Sequence, residues 1–246
     1  MQRYLIQLSF KGTCYHGWQI QPNGISVQKV LETTISTLLR EQVAITGAGR
    51  TDAGVHALFF IAHFDALKND LDSPDFIRHL NSFLPEDIAV QAVKKADPGF
   101  HARFSALSRT YIYVISRRKD PFSVEQSFYY PGILDMAKMN EAAEVLTQYS
   151  DFTSFSRLHS DVKTNICRVT YARWEESEGK LVFTITADRF LRNMVRAITG
   201  TLIDVGRGKI SAENFRTIIE KKERKAAGAS APAKGLFLKH IDYQLV

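Results

Sequence analysis

The chain has 246 residues, 45% of them hydrophobic, which suffices for one large domain or two domains of ordinary size. Lysine and arginine together number 32 against 26 aspartate and glutamate residues, and the formal net charge of +6 favours a polyanionic partner without establishing one. The two cysteines, Cys14 and Cys167, are too few and too far apart for a disulfide framework or a structural zinc site, so they indicate a reducing compartment.

The first predicted element is a strand over residues 3–10, where apolar and polar side chains alternate with a period of two. It starts so early that it leaves no room for a signal peptide. No apolar run reaches the roughly 20 residues that a membrane-spanning helix needs. We therefore expect a soluble, cytoplasmic protein with no membrane partner.

The rest of the first half alternates predicted helices and strands. Ser26 can cap a helix that runs from Val27 to Leu39, and Ser73 with Pro74 opens a second helix. Strands are predicted over residues 43–46, 57–64 and 87–93. The resulting order, β-α-β-β-α-β, is the ferredoxin-like pattern.

The second half repeats this order loosely. Asp135 can cap a helix, a long helix is predicted from Phe190 to Val205, and a shorter one from Ser211 to Glu220. Strands are predicted over residues 109–116, 166–174, 181–187 and 235–246. The small, polar stretch 226–234 is predicted to be flexible. The basic run 221–225 is interpreted as a solvated helix end, with RNA contact as the less favoured alternative.

The most informative motif is GRTDAGVH at residues 49–56, a glycine-bracketed loop between two predicted strands. Gly49 and Gly54 permit backbone angles that other residues avoid and let a ligand approach the main chain. Asp52, two residues from Arg50, would stay ionised near neutral pH and could act as a nucleophile or general base. Chemistry alone favours the alternative that Asp52 only makes a turn.

Further motifs follow one another along nearly the whole chain. They are YHGWQ at 15–19 with Gln21, SVQ at 26–28, LP at 84–85, DIAV at 87–90, FHARFSA at 100–106, RTYIY at 109–113, DFTSF at 151–155, FLRNMVR at 190–196 and GLFL at 235–238. Together with GRTDAGVHA at 49–57, they resemble, in the same order, the motifs of the tRNA pseudouridine synthase A family.

This resemblance implies an α+β fold of two ferredoxin-like (RRM-like) halves, with antiparallel sheets joined across a central active-site cleft. Residues 1–106 would carry the catalytic aspartate loop, and residues 107–246 would carry a stacking tyrosine and an arginine that pairs with the aspartate. The implied activity is the isomerisation of uridine to pseudouridine at positions 38, 39 and 40, in the anticodon arm of tRNA. The family works as a homodimer and needs no cofactor and no metal.

The resemblance also assigns roles to individual residues. Asp52 matches the catalytic aspartate, Tyr111 the tyrosine that stacks on the target base, and Arg196 the arginine that ion-pairs with the aspartate. Arg50 matches the arginine that holds the flipped nucleotide, with a loop-stabilising salt bridge as the alternative. Asp52 would attack C1′ of the ribose or take a proton from C2′ to give a glycal, and the sequence does not separate these routes.

The helix predicted from Phe190 carries a polar face. Its members fall within an arc of about 100°, and they are Arg189, Arg192, Asn193, Arg196 and Gly200. Periodicity alone favours an ordinary solvated face. We interpret Arg189 and Arg192 as phosphate contacts, because a basic surface holds RNA by its backbone.

Other residues receive no chemical role. Tyr113, on the same strand face as Tyr111, is interpreted as structural. The seven histidines show no metal-ligand spacing, and neither GxSxG nor GxxxxGK[ST] occurs. His16 and His101 remain unassigned. The alternatives to the pseudouridine synthase reading are a non-catalytic RNA-binding protein on the same fold and a synthase acting on another RNA.

Overall fold

The computed structural model describes residues 1–157 and 164–244, and it confirms the α+β class. The chain divides into two compact units. The first comprises Met1–Leu107 and the described residues from Leu238 onward, and the second comprises Ser108–Phe237. The last strand therefore lies mostly in the first unit, whereas the sequence assigned all residues from 107 to the second half.

The first unit is built on an antiparallel sheet. Its elements are β1 (Gln2–Phe10), α1 (Val27–Leu39), β2 (Ile45–Gly47), β3 (His56–Ala66), α2 (Pro74–Phe83) and β4 (Ile88–Lys95). Strand β1 pairs with β3 on one side and β4 on the other, and β2 pairs with β3. Alternate residues of β1 from Tyr4 to Phe10 are buried, as the period of two predicted.

In its described residues, the second unit combines a sheet that contains antiparallel and parallel strand pairs with three α-helices. Its elements are β5 (Ala106–Ser116), β6 (Phe128–Tyr129), α3 (Met136–Val145), β7 (Val169–Ser177), β8 (Lys180–Ala187), α4 (Met194–Gly206) and α5 (Ala212–Lys221). The last strand, β9 (Leu236–Tyr243), begins in this unit and lies mostly in the first. Strand β8 lies between β5 and β7. Helix α3 packs against β7, α4 and α5. Trp174, Phe183 and Phe215 are buried in this core.

Capping side chains begin four of the five α-helices in the described residues, at the places where the sequence predicted a helix to start. Ser26 accepts a hydrogen bond from the Lys29 N–H at the start of α1. Ser73, Asp135 and Ser211 do the same for α2, α3 and α5. These caps use local contacts that satisfy the first N–H groups of each helix, which is why the sequence reveals them.

The long helix predicted from Phe190 is shorter than expected. Helix α4 begins at Met194, because Asn193 adopts a left-handed backbone (φ 65°) that ends the preceding turn and cannot lie inside an α-helix. Arg189 and Arg192 therefore lie before the helix, and the predicted polar arc that joined them to Arg196 was wrong.

The stretch predicted to be flexible, 226–234, is packed along α4. The N–H of Gly228 donates to Thr201 Oγ1 at 2.9 Å, and the N–H of Ala231 donates to the carbonyl of Arg196 at 2.9 Å. A Cβ at Gly200 would lie 1.8 Å from the Ala229 carbonyl oxygen, so the two backbones touch. The face of α4 that contains Gly200 is covered by this stretch and is not a solvated face.

Candidate active site

Asp52 lies in the loop of residues 48–55 that joins β2 to β3 in the first unit. The Val55 N–H donates to the Asp52 carbonyl at 3.2 Å, and Gly54 completes this turn with a positive φ of 77°. Open space surrounds Gly49, since a Cβ built there would meet no atom within 4 Å. Asp52 is half-buried and Arg50 is exposed. The loop thus holds a carboxylate near the surface beside room for a ligand.

The segment 12–18, which contains the first four residues of the YHGWQ motif, packs against the backbone of this loop. A Cβ at Gly17 would lie 2.1 Å from the Thr51 carbonyl oxygen, and one at Gly12 would lie 2.0 Å from that of Val55. The Gly54 N–H donates to the Tyr15 carbonyl at 3.2 Å. Only residues without side chains permit such close approach at these two positions. The segment therefore fixes the main chain on both sides of Asp52.

Buried side chains anchor the segment itself. The Tyr15 hydroxyl donates to Asp87 Oδ1 at 2.5 Å, and burial together with this hydrogen bond raises the pKa of Tyr15. Trp18 stacks on Phe60 of β3 with ring centroids 4.1 Å apart. The backbone N–H of Gly12 donates to Nδ1 of His56 at 3.0 Å. The loop of Asp52 is thus tied to the sheet through 12–18 as well as through its own strands.

One buried polar atom beside Asp52 lacks a partner. Among the residues that the structure describes, only Thr51 Oγ1 and Trp174 Nε1 are buried side-chain polar atoms without a hydrogen bond. Buried hydroxyls normally have partners, so an orphan in a glycine-rich loop suits a site that a ligand or water completes.

We expect Gly17→Ala to destabilise the protein strongly. The new Cβ would clash with the Thr51 carbonyl, and φ at this position is +81°, which disfavours any side chain. The free energy of unfolding should fall by about 2–4 kcal/mol, as measured by urea denaturation. Gly179→Ala is the matched control, because Gly179 has a similar φ of +72° but open space around it. Equal losses in both variants would contradict the close packing at Gly17.

Tyr111 lies in β5 of the second unit, opposite Ile185 of β8. It is half-buried, and its ring meets that of Phe190 edge to face with centroids 5.3 Å apart. Tyr113, two residues on, is fully buried and its hydroxyl donates to the Pro232 carbonyl at 2.9 Å. Burial raises the pKa of Tyr113. The two tyrosines therefore differ in access to solvent, and only Tyr111 is placed where a ligand could reach its ring.

The three arginines of the 189–196 region have different surroundings. Arg196, in the first turn of α4, is half-buried and its Nε donates to the Ala231 carbonyl at 2.8 Å. Arg192 is exposed. Arg189 is half-buried and reaches the Thr164 carbonyl through Nη1 at 3.4 Å. Of the predicted site residues, Asp52 and Arg50 lie in the first unit and the other four lie in the second.

His16 and His101, which the sequence left unassigned, lie outside the helices and strands, whereas His63 lies in β3. His101 Nδ1 accepts hydrogen bonds from the N–H groups of Arg103 and Phe104, at 3.2 and 3.3 Å, which shapes the FHARFSA motif. His63 Nδ1 accepts from Ala102 N–H at 3.1 Å, and burial lowers the pKa of His63 to about 4. His16 is exposed, and its N–H donates to the Ile25 carbonyl at 2.8 Å.

The described part of the chain holds neither a cluster of metal-ligand side chains nor a membrane-spanning helix. No three histidine, cysteine, aspartate or glutamate side chains within residues 1–157 and 164–244 group as metal ligands would. In the same residues, none of the helices has the length and apolar character required to span a bilayer.

Sequence comparison finds close relatives over the full chain. The sequence profile of a tRNA pseudouridine synthase family matches residues 7–105 and 142–244. A protein of Bacteroides thetaiotaomicron named tRNA pseudouridine synthase A is 54% identical, with 99% of this chain and 91% of that protein covered. Proteins of the same name from Bacteroides fragilis and Geobacter sulfurreducens are 54% and 40% identical, and the matches cover 99% of this chain and 97% and 100% of theirs.

Among solved structures, Thermus thermophilus Cse3 bound to an RNA that represents a pre-cleavage complex matches 84% of this chain and 97% of its own, with 12% identity. The TM-score is 0.24, and a similarity of this size carries no argument about fold or function.

Proposed function

The chain belongs to the tRNA pseudouridine synthase family, isomerases that convert uridine to pseudouridine in tRNA, and we propose that this one modifies positions 38, 39 and 40 of the anticodon arm. The proposal extends to two ferredoxin-like halves with their sheets joined across a central active-site cleft. We further propose a homodimer, as the family resemblance implies. Free thiols at Cys14 and Cys167 accord with a reducing compartment, so we assign the enzyme to the cytoplasm.

The observation that carries the proposed site is the fixed loop around Asp52. The reaction breaks the bond between uracil N1 and ribose C1′, which leaves an electron-poor carbon that a carboxylate can trap, as in retaining glycosidases. In this scheme Asp52 attacks C1′ and uracil leaves through N1. The detached uracil rotates, and its C5 attacks C1′ and displaces the Asp52 carboxylate. The proton that C5 then loses is balanced by one that N1 takes up. Contacts of Gly12 and Gly17 with the loop backbone hold Asp52 in place, and such positioning favours attack at a fixed carbon.

We assign the supporting roles to residues of both units. Arg196 pairs with Asp52 through a bidentate guanidinium, which keeps its charge and fixes both carboxylate oxygens. Arg50, exposed two residues before Asp52, holds the flipped nucleotide. Arg189 and Arg192 contact phosphates of the tRNA, where basic side chains act without reading sequence.

Tyr111 provides the surface on which the extruded uracil stacks. An enzyme that acts on one base of a structured RNA takes that base out of its stack, and an aromatic ring offers a replacement worth about 1–3 kcal/mol. The half-buried ring of Tyr111, held edge to face by Phe190, suits this role better than the buried ring of Tyr113.

Mapping pseudouridine before and after addition of the protein tests the proposed positions. Unmodified tRNA transcripts that carry uridine at positions 38, 39 or 40 should each gain pseudouridine there, and uridines outside the anticodon arm should stay unmodified. Modification confined to another region of the tRNA would overturn the assignment to the anticodon arm. Ribosomal RNA fragments in the same assay serve as a comparison, because modification of them would favour the alternative of a different RNA substrate.

Substitutions at Tyr111 should separate stacking from the chemistry of the hydroxyl. Tyr111→Phe keeps the ring, so its affinity for tRNA should stay within about twofold of the parent. It removes the hydroxyl, which in the proposed site helps to take the proton from uracil C5, so its turnover should fall. Tyr111→Leu removes the ring and should weaken both tRNA binding and turnover. The dissociation constant and single-turnover rate of each variant measure these effects, with Tyr171→Leu on the exposed face of β7 as a control. Parent-like turnover in both Tyr111 variants would make Tyr111 a structural residue only.

A further inference from the structure

The residues from Arg224 to Ala231 form a segment that we call the 224–231 strap, and its first residue binds the rest of it. Arg224 Nη1 donates to the Gly228 carbonyl at 3.1 Å and to the Ala227 carbonyl at 3.4 Å. Its Nη2 donates to Ser230 Oγ at 3.0 Å. A single planar guanidinium thus fixes three points of the strap.

The strap lies against α4 without side chains between the two backbones. A Cβ at Gly200 would lie 1.8 Å from the Ala229 carbonyl oxygen, and one at Gly228 would lie 3.2 Å from Cα of Thr201. Asn193, which precedes α4, donates through Nδ2 to the same Ser230 Oγ at 2.7 Å. Glycines on both sides therefore set the distance between strap and helix, and hydrogen bonds set their alignment.

The far end of the strap reaches Arg196. The Ala231 N–H donates to the Arg196 carbonyl at 2.9 Å, and Arg196 Nε returns a hydrogen bond to the Ala231 carbonyl at 2.8 Å. A guanidinium can bind a carboxylate through a pair of N–H groups along either of two edges. One edge is formed by Nε and one Nη, and the other by Nη1 and Nη2. Because the Nε–H already donates to the Ala231 carbonyl, the edge formed by Nη1 and Nη2 is the one suited to a carboxylate.

We propose that Arg224 is a positioning residue for the isomerisation. It locks the 224–231 strap so that the Ala231 carbonyl orients the guanidinium of Arg196. This inference rests on the proposed function, in which Arg196 pairs with Asp52. It also gives a structural role to one member of the basic run 221–225, for which the sequence offered only a solvated helix end or RNA contact.

The test compares Arg224→Ala with Lys225→Ala, which removes the same charge from the next, exposed residue. Arg224→Ala loses the hydrogen bonds that hold the strap, and its single-turnover rate should fall about tenfold to a hundredfold, because a small misplacement of a catalytic group lowers the rate strongly. Its dissociation constant for tRNA should stay within about twofold of that of Lys225→Ala. Lys225→Ala should turn over at the parent rate.

The double variant that combines Arg224→Ala with Arg196→Lys distinguishes a positioning role of Arg224 from a merely structural one. If Arg224 acts through Arg196, Arg224→Ala should cost nothing further when Arg196 is already lysine. Fully additive losses would overturn the proposal. A parent-like single-turnover rate in Arg224→Ala with weaker, less salt-dependent tRNA binding would also overturn it and assign Arg224 to phosphate contact.

Ser230→Ala keeps the proposal testable if Arg224→Ala does not fold. It removes the hydroxyl that Arg224 and Asn193 share, and it should give the same pattern with a smaller fall in rate. A parent-like rate in Ser230→Ala would then overturn the strap's role. Failure of the proposed function is distinguishable, because a parent-like rate in Arg196→Lys alone would remove Arg196 from the site whatever Arg224 does.

Discussion

Asp52→Asn should abolish isomerisation while the fold and tRNA binding persist. The amide has nearly the shape of the carboxylate but cannot act as the nucleophile at C1′. The loop backbone that holds Asp52 is fixed by Gly12, Gly17 and Tyr15, none of which the substitution changes. Pseudouridine in the treated tRNA should fall below detection, with the dissociation constant for tRNA within about threefold of the parent.

Asp75→Asn is a matched control for this prediction. Asp75 lies in the first turn of α2 and forms an exposed ion pair with Arg78, so the substitution makes the same charge change in the same unit. Such pairs contribute about 0–1 kcal/mol, and turnover should match the parent. Residual activity of a tenth of the parent in Asp52→Asn would contradict the proposed nucleophile, and parent-like activity would favour a non-catalytic turn.

The elements that the sequence predicted well are those with local causes. Ser26, Ser73 and Asp135 each cap the helix that follows, and the contact spans three residues. Likewise, the alternation in β1 reports directly which side chains face the core. Both signals need only neighbouring residues, so one sequence suffices to find them.

The errors at α4 have non-local causes. The apolar spacing from Phe190 onward fits a helix, but Asn193 turns left-handed, and its side chain reaches Ser230, 37 residues later. The polar, small residues of 226–234 look like a flexible linker, yet they are held by Arg224 and by the backbone of α4. The amino-acid composition of this stretch reflects only its small, polar side chains. The stretch is held in one conformation by backbone hydrogen bonds, which composition does not reveal.

In the candidate site too, some features have local causes that the sequence shows and others depend on distant contacts that it does not show. The glycines of 49–54 mark the Asp52 loop within the sequence itself, and the family resemblance supplies the other residues. The support from Gly12 and Gly17 could not be predicted, because their contacts join residues 34 and 43 positions apart (from 17 to 51 and from 12 to 55). Only the folded structure, which places the partner backbone, shows that a glycine is needed for two segments of main chain to approach closely.

Arg196→Lys should lower turnover strongly, although it keeps the charge. An ammonium group has no planar fork, so it cannot form two parallel hydrogen bonds to a carboxylate and also donate from a fixed Nε to the Ala231 carbonyl. In the proposed site, Asp52 loses its fixed orientation, and a small misplacement costs on the order of a hundredfold in rate. Single-turnover kinetics should show this fall, with the dissociation constant for tRNA and the melting temperature little changed.

Arg207→Lys provides the comparison at the other end of the same helix. Arg207 stacks over Tyr130 and pairs with Asp204, and its partly exposed side chain tolerates an ammonium group, so turnover should match the parent. A rate for Arg196→Lys equal to that of Arg207→Lys would remove Arg196 from the active site. The bidentate pairing with Asp52 would then be wrong, and the hydrogen bond from Nε to Ala231 would serve the packing of residues 224–231 on α4 alone.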